Sequence, residues 1–142
     1  MISRPSRVSR RGFVAATIVA AAGIFALANL GGTADPPRWL VKWRVGPERF
    51  KCYITRPADV ARVQEALYLH TTAGIPLGRV KLGTEENTDH AWHMENVRLV
   101  DVTAEIYDGR PSDVDANLDY WRHTVKRFGP WSARPLSIKR VD

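Results

Sequence analysis

The feature that most constrains the fold is an uncharged, largely apolar run from Gly12 to Ala34 that directly follows a cluster of arginines. Residues 1–11 contain four arginines and no acidic residue, and Asp35 ends the run. A basic stretch, an apolar stretch and small residues near its end form the tripartite pattern of a secretory signal. Such a segment does not join a domain core. We therefore predict a signal segment over residues 1–34 and a single exported domain over residues 35–142.

A short motif at the start of the apolar run indicates the export route. The sequence Ser9-Arg10-Arg11-Gly12-Phe13-Val14 resembles the twin-arginine export motif, with Arg10, Arg11 and Phe13 as its defining residues. The resemblance implies that an export translocase recognises the segment and carries a folded domain across the cytoplasmic membrane. A domain with one cysteine agrees with that order of events, because it does not need an oxidising compartment to fold.

The cleavage point decides whether the domain is released. Two small-x-small sequences end at Ala28 and at Ala34, and we favour cleavage after Ala34 because Pro36-Pro37 then opens the mature chain as an extended lead-in. The alternative is an uncut membrane anchor over residues 12–32, although this run is near the lower limit of the roughly 20 residues that span a bilayer. In either case we expect an exported domain (secreted, periplasmic or cell-surface) that meets the membrane only through its N-terminal segment.

The distribution of charge argues against one broad class of partner. The net charge of the chain is +6, but four arginines lie before residue 35, which leaves 17 basic and 15 acidic residues in the body. A body so close to neutral gives no indication of nucleic-acid binding. The lone Cys52 excludes an intrachain disulfide and a multi-cysteine zinc site, and no phosphate-binding or dinucleotide-binding motif occurs. We predict no cofactor and no nucleic-acid partner.

The periodicity of apolar residues in the body predicts a mixed domain. Residues 39–45 and 50–54 alternate between apolar and polar positions on either side of a turn, which is typical of a β-hairpin. The other predicted elements are helices over residues 57–70 and 112–128 and strands over residues 77–82, 91–94, 97–107 and 136–141. The order β-β-α-β-β-β-α-β predicts an α+β fold: a single antiparallel, curved sheet with two helices packed on it, preceded by an apolar signal helix.

The second helix has the clearest pattern. Ser112 is predicted to cap it and Gly129-Pro130 to end it. One apolar stripe, spaced by four and three residues, is expected to face the core: Val114, Leu118, Trp121, Val125 and Phe128.

Several motifs follow one another in the second half of the chain: Trp92-His93, Glu105-Ile106-Tyr107-Asp108-Gly109-Arg110-Pro111-Ser112, Leu118-Asp119 and Gly129-Pro130-Trp131-Ser132. This series resembles the small exported domain family named after a prespore calmodulin-binding protein of seventy-four kilodaltons. The resemblance covers nearly all of the mature chain and implies an exported single domain without an assigned reaction. It does not imply a calmodulin-target helix here, because the best candidate, residues 112–128, carries acidic residues along its exposed face.

The resemblance also implies a structural substitution. Members of this family often carry cysteine where Tyr107 and Gly129 stand, as if a disulfide joined the two positions. We hypothesise that the ring of Tyr107, over a residue without a side chain, fills the space of that disulfide. The two Cα atoms are then expected within roughly 7 Å of each other.

Candidate ligand-binding residues lie in and near the same motifs: Trp92, His93, Asp108, Arg110 and Trp131. If they converge, they form the site of an extracytoplasmic ligand of unknown identity. The two tryptophans would then supply an aromatic platform, although packing in the core is the favoured interpretation for each. No metal site is predicted, because histidines 90 and 93 point to opposite faces of a strand and the carboxylates of residues 108–115 lack the spacing of a calcium-binding loop.

We predict a non-catalytic binding or structural module outside the cytoplasmic membrane. No nucleophile motif occurs, and Cys52 alternates with core residues, which favours an inert buried thiol. The alternative is a small extracytoplasmic hydrolase-like enzyme that uses Glu105 or Asp108 with His93. A concave pocket with a carboxylate within hydrogen-bond reach of His93 would favour that enzyme.

Replacement of both Arg10 and Arg11 by lysine is expected to abolish export, because paired arginines define the motif. The amounts of the protein in the cytoplasm, the envelope and the culture medium are compared by immunoblotting. The control is Arg4→Lys with Arg7→Lys, which removes two guanidinium groups outside the motif and should leave export unchanged. Undiminished export of the Arg10→Lys/Arg11→Lys chain would contradict the prediction.

Overall fold

The computed structural model describes residues 35–141, so the predicted signal helix, cleavage sites and anchor within residues 1–34 lie outside the described residues. The strands are β1 (Arg38–Val45), β2 (Glu48–Ile54), β3 (Ile75–Leu82), β4 (Trp92–Val100), β5 (Arg127–Phe128) and β6 (Arg134–Val141). The helical elements are α1 (Pro57–Leu69), a 3-10 turn (Glu105–Tyr107), α2 (Pro111–Ala116), α3 (Leu118–Tyr120) and a π turn (Trp121–Val125). Over residues 35–141 no helix is long and apolar enough to cross a membrane.

The strands form two small antiparallel sheets. In the first sheet β1 lies between β2 and β6, and in the second sheet β3 lies between β4 and β5. The edge strands β2 and β4 lie close to each other but belong to different hydrogen-bonded ladders. The prediction of an α+β domain is confirmed, whereas the prediction of a single curved sheet is wrong. Alternation shows which face of a strand is buried, but it does not show which distant strand becomes its partner.

The first hairpin and the first helix form as predicted. In the hairpin Trp43 pairs with Phe50, and the turn uses Gly46 at a φ of 59°, in the left-handed region that favours glycine. Helix α1 begins with Pro57 at its first position, where the missing N–H costs no hydrogen bond. Its buried Val60 and Val63 belong to the core.

The strand predicted over residues 97–107 ends early. Strand β4 is continuous from Trp92 to Val100, and its last residue pairs with Ile75, the first residue of β3. Because β3 begins there, residues beyond 100 have no partner strand on that side. Val102, predicted to face the core, is 81% exposed, and residues 105–107 form a 3-10 turn.

The helix predicted over residues 112–128 is broken into three short pieces. It begins at Pro111 and not after a Ser112 cap, and Asn117 interrupts it with a φ of −136°. The chain leaves the helix at Lys126, whose N–H donates to the carbonyl of Trp121 (2.8 Å), because Phe128 has to pair with Gly78 in the second sheet. The apolar stripe nevertheless packs as predicted, with four members buried and one half-buried: Val114, Trp121, Val125, Phe128 and Leu118.

Aromatic rings join the two sheets in the core. The Phe128 ring meets those of Phe50, Trp92 and Trp121 edge-on, at centroid distances of 5.7, 5.5 and 5.6 Å. Phe50 belongs to the first sheet, Trp92 and Phe128 to the second, and Trp121 to the π turn. Edge-to-face packing is a favoured geometry for aromatic rings. The contact surface between the sheets is therefore built from side chains.

The predicted neighbourhood of Tyr107 and Gly129 is present, but its packing differs from the hypothesis. The Gly129 N–H donates to the Tyr107 carbonyl at 2.8 Å, which keeps the two Cα atoms within about 7 Å. A Cβ atom at Gly129 would meet Leu77 Cδ1 at 2.9 Å and Ile75 Cγ2 at 3.4 Å. Aliphatic side chains of β3 therefore occupy the space beside Gly129, where we expected the ring of Tyr107.

Phe128→Ala is expected to lower the free energy of unfolding by about 3–5 kcal/mol, because it removes the ring that three other aromatic side chains contact. Urea unfolding followed by tryptophan fluorescence measures the change. The matched control is Tyr68→Ala, at a ring position that is 84% exposed, which should change the value by less than about 0.5 kcal/mol. Equal effects of the two substitutions would show that the sheets are joined in some other way.

Candidate functional site

A cleft of about 510 Å³ opens beside the edge strands β2 and β4. We call it the His93 cleft and define it by its polar lining: Arg38, Tyr53, Glu85, Glu86, His93 and Glu95. Strand β1 supplies the arginine, β2 the tyrosine, the loop between β3 and β4 two glutamates, and β4 the remaining two residues. The cleft therefore combines side chains that are distant in the sequence.

The pleat of β4 separates core residues from cleft residues. His93 and Glu95 are two positions apart and share one face of the strand, whereas Trp92 points the other way, into the aromatic core. The Trp92 side chain is fully buried, so it offers no platform to a ligand. This outcome agrees with core packing, the favoured interpretation of this residue.

The loop that carries the two glutamates is held by Asn87, which is 1% exposed. Its Oδ1 accepts a hydrogen bond from the Lys51 N–H of β2, and its Nδ2 donates to the Trp92 carbonyl of β4, both at 2.9 Å. The side chain of Lys51 adds a bond to Thr88 Oγ1 at 2.9 Å. One buried amide thus ties the loop to both edge strands and fixes where Glu85 and Glu86 stand.

Both ring nitrogens of His93 face acceptors. Nδ1 lies 2.7 Å from the carbonyl oxygen of Gly83, and Nε2 lies 3.3 Å from Oε1 of Glu95. An imidazolium donates to both, whereas a neutral ring donates to only one. Burial lowers the pKa of His93, but the hydrogen bonds to Gly83 and Glu95 and the charge of Glu86 outweigh it, so the net pKa is raised. The side chain is therefore disposed to carry a positive charge.

Glu86 shows the opposite effect of the same surroundings. Burial raises the pKa of its carboxyl group, and neighbouring Glu85 adds to that increase, while backbone hydrogen bonds and His93 partly oppose it. At the mouth of the cleft the Arg38 guanidinium lies 4.6 Å from the centroid of the Tyr53 ring, within cation–π range. The cleft thus holds three carboxylates, one of them poorly solvated, together with two cationic groups.

The five sequence-predicted site residues do not form one site. Asp108 and Trp131 come together, since Asp108 Oδ1 accepts the Trp131 N–H at 2.9 Å and also the N–H of Gly109. Arg110 stands at the start of α2, where its N–H donates to Asp113 Oδ2 at 2.7 Å. Of the five, only His93 lines the His93 cleft.

A second histidine is fixed by a carboxylate that the sequence interpretation missed. His90 Nδ1 lies 2.8 Å from Oδ2 of Asp115, and its Nε2 lies 2.8 Å from the carbonyl of Arg49. The other oxygen of Asp115 accepts the Trp92 indole N–H at 2.9 Å. Asp115 of α2 therefore holds side chains from both ends of the segment 90–92, and the contact ties α2 to β4.

Glu95 and Glu86 are the functional candidates that sequence reasoning missed. A local signal existed for Glu95, because His93-x-Glu95 on a strand places both side chains on one face. Glu86 lies in a polar loop whose path depends on the buried amide of Asn87, and periodicity does not show that. Within the described residues no group of three histidines, cysteines or acids is placed to hold a metal ion.

Comparison with known proteins identifies one family. The family model that matches describes the N-terminal domain of the calmodulin-binding protein of seventy-four kilodaltons, and it covers residues 38–141. This is the family that the Trp92–Ser132 motifs indicated. In the same comparisons no curated protein and no solved structure matches the chain.

The raised pKa of His93 predicts a pH-dependent contribution to stability. The contribution is fully present below the ordinary value of 6.5 and is lost as pH rises through the higher pKa of the folded state. His93→Gln, which keeps a donor toward Gly83, should flatten the fall in the free energy of unfolding over that range. Urea unfolding at a series of pH values measures the difference between the two proteins. Glu86→Gln is the comparison, because its contribution is lost upward from 4.5 and should leave the fall above 6.5 in place. An unchanged slope in His93→Gln would contradict the assignment.

Proposed function

The chain belongs to the family of the N-terminal domain of the seventy-four-kilodalton calmodulin-binding protein, and from that premise we propose that it is an exported, non-catalytic module that binds an organic cation in the His93 cleft outside the cytoplasmic membrane. The basic side chains of peptides are the ligand class that fits this chemistry. The proposal has three parts, which rest on separate observations: export, the charge of the ligand and the absence of a reaction.

Export is supported by the N-terminal pattern. Paired arginines, an uncharged run and a small-residue site at Ala34 form a twin-arginine-type signal, whose use by a translocase delivers a domain that is already folded. The described domain suits that route. Its core is formed by aromatic and aliphatic side chains, and its one cysteine, Cys52, is buried and free. Folding therefore does not depend on an oxidising compartment.

The single observation that carries the ligand assignment is the environment of Glu86. Its carboxylate is partly buried, and the resulting loss of water is what raises its pKa. A bound ammonium or guanidinium group would replace that water with a charge-assisted hydrogen bond. Glu85 and Glu95 add negative charge around the same volume, and Arg38 offers a donor to a carbonyl group of the same ligand.

The geometry of His93 supports binding over catalysis. A general base needs a free lone pair within reach of the substrate, but both nitrogens of His93 are engaged by Gly83 and Glu95. The carboxylate of Asp108 accepts backbone N–H groups and is not part of the cleft lining. Burial raises the pKa of the Cys52 thiol to about 12, partly offset by a hydrogen bond with Trp43, so this thiol is a poor nucleophile.

The hydrolase-like alternative keeps one supporting observation. A concave cleft with a carboxylate near His93 is the arrangement that we stated as favouring an enzyme, and Glu95 provides it at 3.3 Å. In this form Glu95 takes the place of Glu105 or Asp108. The same contact occupies Nε2, however, and we therefore rank binding first.

Glu86→Gln is expected to weaken the binding of trilysine about tenfold or more, because it removes a charge-assisted contact at the centre of the cleft. Isothermal titration at low ionic strength measures the affinity, and mass spectrometry of the recovered peptide detects any cleavage. The matched control is Glu105→Gln, which removes one exposed carboxylate outside the cleft.

The outcomes separate the two hypotheses. Weaker binding in Glu86→Gln, with Glu105→Gln like the wild type and the peptide intact, supports the binding module. Equal weakening in both variants would reduce the effect to net charge and contradict the site. Cleavage of trilysine that is lost in Glu95→Gln would favour the hydrolase.

A further inference from the structure

A second cleft, on the other part of β4, carries only basic charge. It has a volume of about 460 Å³ and lies where β3, β4 and the start of β5 meet. We call it the basic cleft and define it by five side chains: Arg79, Asn96, Arg98, Lys126 and Arg127. None of the described residues that line it is acidic. It is a different volume from the His93 cleft, although Asn96 borders both.

The four cations of the basic cleft are not used in ion pairs. Within residues 35–141 the arginines that form ion pairs are Arg56, Arg62 and Arg122. The carboxylate across the ladder from Arg79 on β4 is Glu95, and its contact is with Nε2 of His93. Positive charge therefore accumulates in the basic cleft without a protein counter-ion.

The sheet brings like charges together. In the antiparallel pair of β3 and β5, Arg79 stands directly opposite Arg127, while on β4 Arg98 stands opposite Leu77, two positions before Arg79. Like charges directly opposite on neighbouring strands are destabilising. Bound negative charge would remove that repulsion, so the arrangement suits an anion better than it suits the empty protein.

Irregular backbone aims these side chains. The ladder between β3 and β4 shifts register next to Gly78, and Asn96 adopts a left-handed φ of 53° there. Gly78 allows the close approach, because a Cβ atom would lie 2.7 Å from Val97 Cγ2. β-Bulges bend a strand and redirect its side chains, and they are frequent beside functional sites.

The third segment is irregular as well. Lys126 has a left-handed φ of 72° and closes the π turn through its N–H bond to Trp121. Its carbonyl accepts the Val80 N–H at 3.0 Å, which locks this residue against β3. Single π turns inside helical segments are frequently found at functional sites. Two independent departures from regular structure thus converge on the basic cleft.

From the four unpaired cations, their like-charge opposition and the two irregular segments that aim them, we infer that the basic cleft binds a doubly charged phosphate-type oxyanion. Guanidinium groups bind such oxygens in a forked, paired geometry, and a lysine adds a point charge. The oxyanion can belong to a free phosphorylated compound or to the headgroup of a membrane lipid, and the chemistry of recognition is the same. This inference does not depend on the His93 cleft or on its ligand.

The test is a titration of the full chain with inorganic phosphate and with pyrophosphate at low ionic strength, where exposed charges are least screened. Saturable binding with a Kd of about 1 mM or tighter is expected. Arg79→Gln with Arg98→Gln should weaken it about tenfold or more. The matched control is Arg44→Gln with Lys139→Gln, which removes two exposed cations of the first sheet. Equal weakening in both double variants, or no saturable binding in the wild type, would overturn the inference.

Arg127→Gln gives a second readout that does not depend on the double variant's folding. It removes the charge opposite Arg79, so without phosphate it should unfold at the same or a higher temperature than the wild type. It should also lose most of the stabilisation that phosphate gives the wild type. An Arg127→Gln protein that is less stable without phosphate, or stabilised by phosphate as much as the wild type, would contradict the inference.

Vesicles separate the two sources of the oxyanion. Phosphatidylcholine vesicles with and without phosphatidic acid are sedimented with the protein, and inorganic phosphate is added as a competitor. Binding that requires phosphatidic acid, falls in Arg79→Gln/Arg98→Gln and is displaced by phosphate assigns the site to a lipid headgroup. Saturable phosphate binding without vesicle binding assigns it to a free compound. Vesicle binding that both double variants lose equally would indicate adsorption to surface charge and count against the cleft.

Discussion

The ring of Phe128 is the contact on which the arrangement of this domain depends. The two sheets belong to separate hydrogen-bonded ladders, so side-chain packing sets how they lie together. Phe128 meets a ring from the first sheet, one from the second and one from the π turn. Apolar burial is strong but non-directional. The edge-to-face geometry of these rings adds direction, because it favours particular ring orientations.

Two polar residues make that arrangement specific. Asn87 links β2 to β4 through its amide group, and Asp115 links α2 to the segment that contains His90 and Trp92. A buried polar group that loses its partner costs more than the bond itself contributes, so alternative packings of the sheets are disfavoured. The aromatic cluster therefore holds the sheets together, and the polar links define their register. The walls of the His93 cleft follow from both.

Local patterns in the sequence predict the elements whose structure depends on near neighbours. The hairpin, helix α1 and the apolar stripe of residues 114–128 are all visible as periodicity or as turn chemistry. The errors occur where a distant strand decides. Strand β4 ends at Val100 because β3 begins opposite it, and the second helix breaks at Lys126 because Phe128 pairs with Gly78. Neither cause lies within the window that periodicity samples.

The candidate sites show the same limit for charge. A net charge of +2 over residues 35–142, from 17 basic and 15 acidic residues, argues against nucleic acid, but it averages over groups that the fold separates. Strand β4 divides them: its start contributes His93 and Glu95 to a cleft rich in carboxylates, and beyond the bulge Arg98 joins a cleft without any described carboxylate. The shift in register next to Gly78 and the left-handed Asn96 mark the boundary between the two. One irregularity in one strand thus turns a nearly neutral composition into two surfaces of opposite chemical character.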